Sequence, residues 1–212
     1  MRRVILLRHG QSEINAIQER QPVFCGQLET PLTELGRRQA REAGKLLADP
    51  RRFQFSHAVS SALGRATETL DLILPAFSSP PRKLPASTAF NERSLGIFEG
   101  HTEEDVFRRF PQYRDDPHFR NFRADLIQKA PNGENLQDVR HRAATSLQAL
   151  LPIITSDLLL VAHCQTIRCL ISAMTGLELL QTLNLQIPNA QPMILTETSV
   201  ATWELTSNMA PT

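Results

Sequence analysis

Three short apolar runs in this 212-residue chain stop at residues that can bind and attack an oxyanion. Val4-Ile5-Leu6-Leu7 ends at Arg8-His9, His57-Ala58-Val59-Ser60 is followed by Ser61 and Arg65, and Leu158 to Ala162 ends at His163. Two guanidinium forks match the oxygens of a tetrahedral oxyanion. An imidazole beside them adds a hydrogen bond or, through an unprotonated nitrogen, a nucleophile. Phosphate is the guest such a group would take. Singly, each residue has a plainer reading, a histidine as a satisfied hydrogen-bonding group and an arginine as a solvated surface. Only their convergence makes a site.

The element pattern predicts that convergence. The run after Arg3 reads as a strand buried on both faces. Thr33 is a candidate N-cap for a helix over 34–48, with Leu35, Ala43, Leu46 and Leu47 inward and Arg37, Arg38, Arg41 and Lys45 solvated. A weaker strand over 57–60 precedes a helix over 62–74 that Pro75 stops, and 78–85, with Pro80-Pro81, reads as loop. Pro131-Asn132-Gly133 breaks the chain before a helix whose Leu136, Val139, Ala143, Leu147 and Leu150 recur at steps of 3 or 4. A strong buried strand over 157–162, helices near 166–174 and 177–183, and strands over 193–196 and 200–205 complete the reading. Alternating strands and helices imply parallel pairing and right-handed crossovers, hence an α/β three-layer sandwich with a mainly parallel sheet and helices on both faces. Ligands of such sheets sit beyond the carboxyl ends of the strands, where Arg8, His9, Arg65 and His163 all fall.

Composition narrows the function. At 41% hydrophobic and 21% charged, the chain is long enough for one well-buried core, so a single domain spanning 1–212 is expected. Lys and Arg number 23 against 22 Asp and Glu, a formal charge of +1, so no whole-protein field draws in nucleic acid or anionic membrane. No apolar run approaches the roughly 20 residues of a membrane span. A cytoplasmic protein without a targeting segment is expected, with no nucleic-acid and no membrane partner. Cys25, Cys164 and Cys169 are odd in number and lack C-x-x-C spacing, against a disulfide framework or a zinc site. Residues 101–131 interleave Phe107, Phe110, Tyr113, Phe119 and Phe122 with Arg108, Arg109, Arg114, Arg120 and Arg123, and read as a helical, lid-like insertion over a pocket. Its arginines could reach a second anionic group, or its phenylalanines could serve stability alone.

Leu7-Arg8-His9-Gly10-Gln11-Ser12-Glu13-Ile14-Asn15 resembles the R-H-G-[EQ]-[ST]-x-x-N signature of the histidine phosphatase superfamily, the phosphoglycerate mutase-like clan. Further segments resemble that family in order: Ser61 to Thr69, Asn91 to Gly100, Pro131-Asn132-Gly133-Glu134-Asn135, and Val161-Ala162-His163. The resemblance covers residues from about 3 to 205, and five ordered matches are hard to obtain by chance. It implies a phosphoglycerate mutase-like fold and, residue by residue, His9 as the nucleophile that becomes phosphorylated. Arg8, Arg65 and His163 would clamp the phosphoryl group, Asn15 would add a hydrogen bond, and Glu92 would be the proton donor. Gly26 and Cys164 join Asn15 as substrate-binding positions. Charge on the equatorial oxygens is what this transfer must stabilise, which cationic side chains can do, so no metal and no cofactor are expected.

The acceptor is less fixed than the phosphohistidine. Asn91-Glu92-Arg93 and Ile187 to Pro192 resemble the cofactor-dependent phosphoglycerate mutase branch. Against that branch, Leu95 stands where it has a tyrosine, Glu103 where it has a substrate-binding lysine, and the insertion is shorter. The charge reversal at Glu103 favours a metal-independent phosphatase of small phosphomonoester metabolites. The mutase is the alternative, and a non-catalytic phosphate-binding protein a third reading, disfavoured because simple binding needs neither His9 nor Glu92. Cys164, where the family usually has glycine, would be an oxidation-sensitive thiol if its neighbours lower its pKa. A homodimer is compatible with the sequence.

Overall fold

Strand β1 (Arg3–Arg8) is buried along Val4 to Leu7 and strand β4 (Asp157–Ala162) along its whole length, as two continuous apolar runs require. The two pair in parallel, Arg3 opposite Asp157 and Arg8 opposite Ala162, so Arg8-His9 and His163 leave the sheet side by side. The computed structural model describes residues 2–18, 20–117, 126–199 and 202–208. On the other side of β4 lies β2 (Phe55–Ser60), also parallel, which delivers Ser61 to the same edge. Beyond it lies β3 (Arg82–Lys83).

That two-residue strand corrects the loop expected over 78–85. Leu84 N donates to Ala58 O at 2.8 Å, and Pro80-Pro81 ends just before the ladder begins, as an edge position tolerates. On the far side, β5 (Pro192–Ser199) runs antiparallel to β1, and β6 (Thr202–Asn208) antiparallel to β5. The order is β3-β2-β4-β1-β5-β6, a mainly parallel sheet.

Alternation along the strands makes two cores. Ile5, Leu7, Leu159 and Val161 pack under α2 (Glu34–Leu47) and α3 (Gly64–Ile73). Val4, Leu6, Leu158 and Leu160 face α5 (Leu136–Leu150) and α6 (Cys164–Thr175) on the opposite side. Short helices α1 (Glu13–Gln18), α4 (Glu103–Arg109) and α7 (Leu179–Thr182) lie outside these layers. Thr33 caps α2, its side chain accepting from Gly36 N at 3.0 Å. The buried face of α2 is Gly36, Ala40, Ala43, Gly44 and Leu47, a stripe of smaller residues than expected. Leu35, one residue off that face, is 42% exposed. Leu150 is likewise only half-buried, whereas the rest of the α5 stripe is fully buried. Helix α3 starts later than expected because Ser61 accepts from Leu63 N and keeps the chain extended to Leu63.

Small residues on α2 let the turn after β1 lie against it. A Cβ on Gly10 would meet Gly36 O at 2.3 Å, and one on Gly36 would meet Gln11 O at 2.0 Å. Gly10 N also donates to Thr69 of α3 and Gln11 N to Gln39 of α2. Gly36→Ala must push backbone from backbone, and is expected to destabilise the fold by about 1–3 kcal/mol, read as a lower urea midpoint. An unchanged midpoint would contradict this contact.

The insertion forms a small satellite core. Val106 of α4 packs with Phe24, Phe98 and Ala130, and Phe107, Phe110 and Tyr113 close over it. Phe119, Phe122, Arg120, Arg123 and Asp125 lie outside the described residues. Among the described residues no helix is long and apolar enough to cross a membrane.

Candidate active site

His9 continues the β1 ladder, its N–H donating to Ala162 O at 3.1 Å, and only 4% of it is exposed. Its Nδ1 lies 2.7 Å from Gly10 O, a carbonyl that can only accept, so Nδ1 carries the proton and Nε2 keeps its lone pair. Burial, then the charges of Arg65 and Arg8, hold the His9 pKa well below the ordinary histidine value.

Arg65 comes from the first turn of α3 and is 2% exposed. Its Nη1 donates to Leu28 O at 2.6 Å and its Nη2 to Gly26 O at 3.0 Å, which leaves other N–H groups of the fork unused. Gly26 presents that carbonyl from a left-handed conformation (φ 51°), and a Cβ there would fall 2.2 Å from Glu99 Oε1. Glu99 braces the loop, accepting from Gln27 N and Leu95 N. Arg8 is anchored by one bond, Nη1 to Ile187 O at 2.9 Å, and its Nε is buried without a partner.

Asn15 Oδ1 accepts from Ser12 N, and Asn189 donates both to His9 O and, at 3.4 Å, to Asn15 Oδ1. Both bonds fall on Oδ1, so neither uses the amide nitrogen of Asn15, a residue of the cleft wall. Asn189, 180 residues from His9, is a support that strand-end reasoning does not reach.

Glu92 is not the surface ion pair its neighbour Arg93 suggests. Its Oε1 accepts from Arg93 N at 2.9 Å and Thr166 N at 3.3 Å, and its Oε2 from Gln165 N at 3.2 Å. The carboxylate thus sits on otherwise unpaired first-turn amides of α6. The Arg93 guanidinium instead reaches Glu134 O and Gln128 O. Glu134 holds the same loop through Ser94 N and pairs with Arg142 of α5 at 2.6 Å, while Arg142 donates to Glu92 O.

A cleft of about 240 Å³ is lined by Arg8, His9, Asn15, Arg65 and Glu92, with Gly26 and Cys164 also in its wall. His163 is fully buried beside it, its ring centroid 5.0 Å from that of His9. All eight expected positions therefore gather at one edge of the sheet. Val23, Phe24 and Leu95 make an apolar flank, and Gln18 and Gln165 add amides.

Two expectations fail, and of the insertion arginines, Arg120 and Arg123 lie outside the described residues. Glu103 is exposed on the first turn of α4 and does not line the cleft, so it bears on no substrate carboxylate there. Arg108 pairs with Asp105, and neither it nor Arg109 lines the cleft. Burial outweighs neighbouring charge at Cys164 and Cys25 and raises both thiol pKa values, against an activated thiolate. Among the described residues no group of three or more His, Cys, Asp or Glu could hold a metal ion.

Burial likewise holds the His163 pKa well below the ordinary value. In the unfolded chain both imidazoles take protons near about pH 6.5, and in the fold only much lower. The unfolded state then binds more protons. Stability is expected to fall as pH drops through that region, by up to about 1.4 kcal/mol per pH unit for each imidazole. Urea midpoints across the range would show it, and a flat profile would contradict two buried neutral rings.

The family description that matches is the histidine phosphatase superfamily (branch 1), over residues 4–208. The 2,3-bisphosphoglycerate-dependent phosphoglycerate mutase of Bartonella henselae is 31% identical over 204 residues, 95% of each chain. That of Methylorubrum extorquens is 31% identical over 196 residues, 91% of this chain and 88% of the other. Among solved structures, a mycobacterial glucosyl-3-phosphoglycerate phosphatase in complex with VO3 superposes with TM-score 0.80 at 28% identity, covering 99% of this chain and 100% of that one. An alpha-ribazole-5'-P phosphatase described as putative, from Escherichia coli, shares the fold at TM-score 0.80 and 21% identity, over 99% of this chain and 98% of its own.

Proposed function

The chain belongs to the histidine phosphatase superfamily, and we propose that it is a metal-independent phosphatase that hydrolyses small phosphomonoester metabolites through a phosphohistidine at His9. The observation that carries this is the bare Nε2 of His9, fixed by the Gly10 carbonyl and set in a cleft with two arginine forks. Nε2 attacks phosphorus as the ester P–O bond breaks, and Arg8, Arg65 and His163 take up charge on the equatorial oxygens. Asn15 adds a hydrogen bond to the group. Glu92 gives its proton to the leaving alkoxide, then accepts one from the water that attacks the phosphohistidine and breaks the N–P bond. Gly26 and Cys164 shape the cleft wall.

Phosphatase is preferred to mutase on the leaving-group side of the cleft. A phosphoglycerate carries a carboxylate that needs a cation there. Of the described residues lining the cleft, Arg8 and Arg65 belong to the phosphoryl end, and Arg93 is turned to the carbonyls of Glu134 and Gln128. The apolar flank suits an uncharged alcohol. The likeness to a glucosyl-3-phosphoglycerate phosphatase favours hydrolysis over transfer, not the uncharged alcohol, because that substrate is itself a phosphoglycerate with a carboxylate, while the curated relatives carry the mutase name. The reading extends to a cytoplasmic, single-domain enzyme with residues 101–131 as its lid, as monomer or homodimer, acting without nucleic acid or membrane.

The test is a phosphate-release screen over small phosphomonoesters in excess chelator, beside an assay for interconversion of 2- and 3-phosphoglycerate. Inorganic phosphate without isomer exchange is expected. Isomer exchange would establish the mutase, loss of turnover in chelator would overturn metal independence, and tight phosphate binding with no ester hydrolysed would leave a binding protein.

A further inference from the structure

Ser61 and Asn91 have no part in the phosphoryl transfer described above, yet they decide the chemical form of His163. Asn91 Oδ1 accepts from Ser61 Oγ at 2.9 Å and from Ala62 N at 3.0 Å. A backbone N–H can only donate, so the second bond fixes which end of the amide is oxygen. Ser61 has one hydroxyl proton, and Asn91 takes it. Ser61 Oγ accepts from Leu63 N at 3.1 Å, and its 2.7 Å contact with His163 Nε2 must then be one in which the ring donates. Nε2 therefore keeps its proton, and Nδ1 is the nitrogen able to change state.

That Nδ1 is buried without a hydrogen-bond partner, in a ring with no exposed surface packed on His9. Buried polar atoms are rarely left so, and an orphan beside a functional cleft calls for a partner that arrives. A bare Nδ1 offers a lone pair, which repels the oxygens of an oxyanion. With a proton it becomes a charged donor to them.

We infer that Asn91 and Ser61 are positioning residues that lock His163 in its Nε2–H form, so that its Nδ1 engages a bound tetrahedral oxyanion only by taking a proton from solvent. This rests on the reading that the oxyanion sits against His9. The groups that act on the ring are His9 and Arg8 from the end of β1, Arg65 of α3 and Arg142 of α5, while the Glu92 carboxylate is held on the first-turn amides of α6, the helix that follows His163. In the free protein, burial and the surrounding cations keep the ring neutral. A doubly charged oxyanion between His9, Arg8 and Arg65 reverses that balance, and the proton enters with it.

The test is tungstate binding to the whole chain as a function of pH, because tungstate keeps a fixed double charge where phosphate titrates. One proton is expected to enter per tungstate bound, so affinity falls by up to about tenfold per unit as pH rises from about 7 to 9. His163→Gln is expected to flatten that slope while His9→Gln keeps it. In Ser61→Ala the neutral ring is free to move its proton to Nδ1, so the slope weakens and affinity at the alkaline end exceeds wild type.

Ring ¹⁵N spectra of the wild-type protein decide the matter without a variant. They should show Nδ1 bare in the free protein and both nitrogens protonated in the complex. A protonated Nδ1 in the free neutral ring, a bare Nδ1 in the complex, or a slope that survives His163→Gln would overturn the inference. Tungstate that fails to bind would overturn both it and the oxyanion site beneath it. Tungstate that binds with the expected slope to a chain hydrolysing no ester would overturn the phosphatase reading alone.

Discussion

His9→Ala is expected to lower kcat by at least about 10⁴-fold, the scale seen when a nucleophile that acts as one unit with its surroundings is removed. The loss is this large because nothing nearby can take over. The thiols of Cys25 and Cys164 share the cleft, but burial raises their pKa values and keeps them protonated at neutral pH. His163 lies 5.0 Å away, ring to ring, with Nε2 committed to Ser61 and with an Nδ1 that, on the inference above, is protonated once the oxyanion binds and so has no lone pair to attack with. Water would have to attack phosphorus from the side His9 vacates, in line with and opposite the leaving group that Glu92 serves, where no general base is placed for it. The arginines do not depend on the imidazole, since Arg8 hangs from Ile187 O and Arg65 from Leu28 O and Gly26 O. Oxyanion binding is therefore expected to survive within about tenfold while chemistry is lost, the signature of an interaction used in the transition state. Rapid quenching after mixing with a labelled phosphoester should trap an acid-labile, base-stable adduct in the wild type and none in the variant. A labelled His9→Ala protein, or one that keeps its turnover, would move the nucleophile elsewhere.

The strand ends were legible because two signals coincide there. An apolar run of strand length stops abruptly, and the stop carries residues costly to place beside a core, as at Leu7-Arg8-His9 and Ala162-His163. What holds those residues was not legible. Asn189 to His9 O, Arg142 to Glu92 O and Ser61 to His163 each join residues 50 to 180 apart, and such bonds depend on sheet order and side-chain direction that periodicity leaves open. The two-residue β3 escaped because an edge ladder needs few bonds and no apolar run. Glu103 misled for a different reason: correspondence along a sequence says nothing of which way a helix turns its residues. Its carboxylate is at the first turn of α4, where it complements the helix dipole. At Cys164 the neighbouring charges could be read from the sequence, but the desolvation that outweighs them exists only once the chain is folded.

Glu92→Gln should separate substrates by their leaving groups. Oε1 of Glu92 is occupied by Arg93 N and Thr166 N, with Thr166 Oγ1 a further 3.4 Å contact, whereas Oε2 has the single bond from Gln165 N at 3.2 Å. Oε2 is thus the oxygen with room to carry a proton toward the cleft. Glutamine keeps the shape and one accepting oxygen but has no proton to transfer. For an alkyl phosphate the departing alkoxide is strongly basic, and loss of the acid is expected to lower kcat/KM by about 10²- to 10⁴-fold. For a nitrophenyl phosphate the phenolate leaves unaided, and kcat/KM, which reports only steps through the first committed one, is expected to change by no more than a few-fold. The second half of the cycle discriminates again. Water attacking the phosphohistidine still needs a base, so kcat for the nitrophenyl ester should fall, and nitrophenol should appear as a burst matching the enzyme present before a slow steady rate. A variant that loses kcat/KM equally on both esters would take the proton-donor role away from Glu92. One that shows the selective loss without the burst would leave it as acid but assign the base to another group.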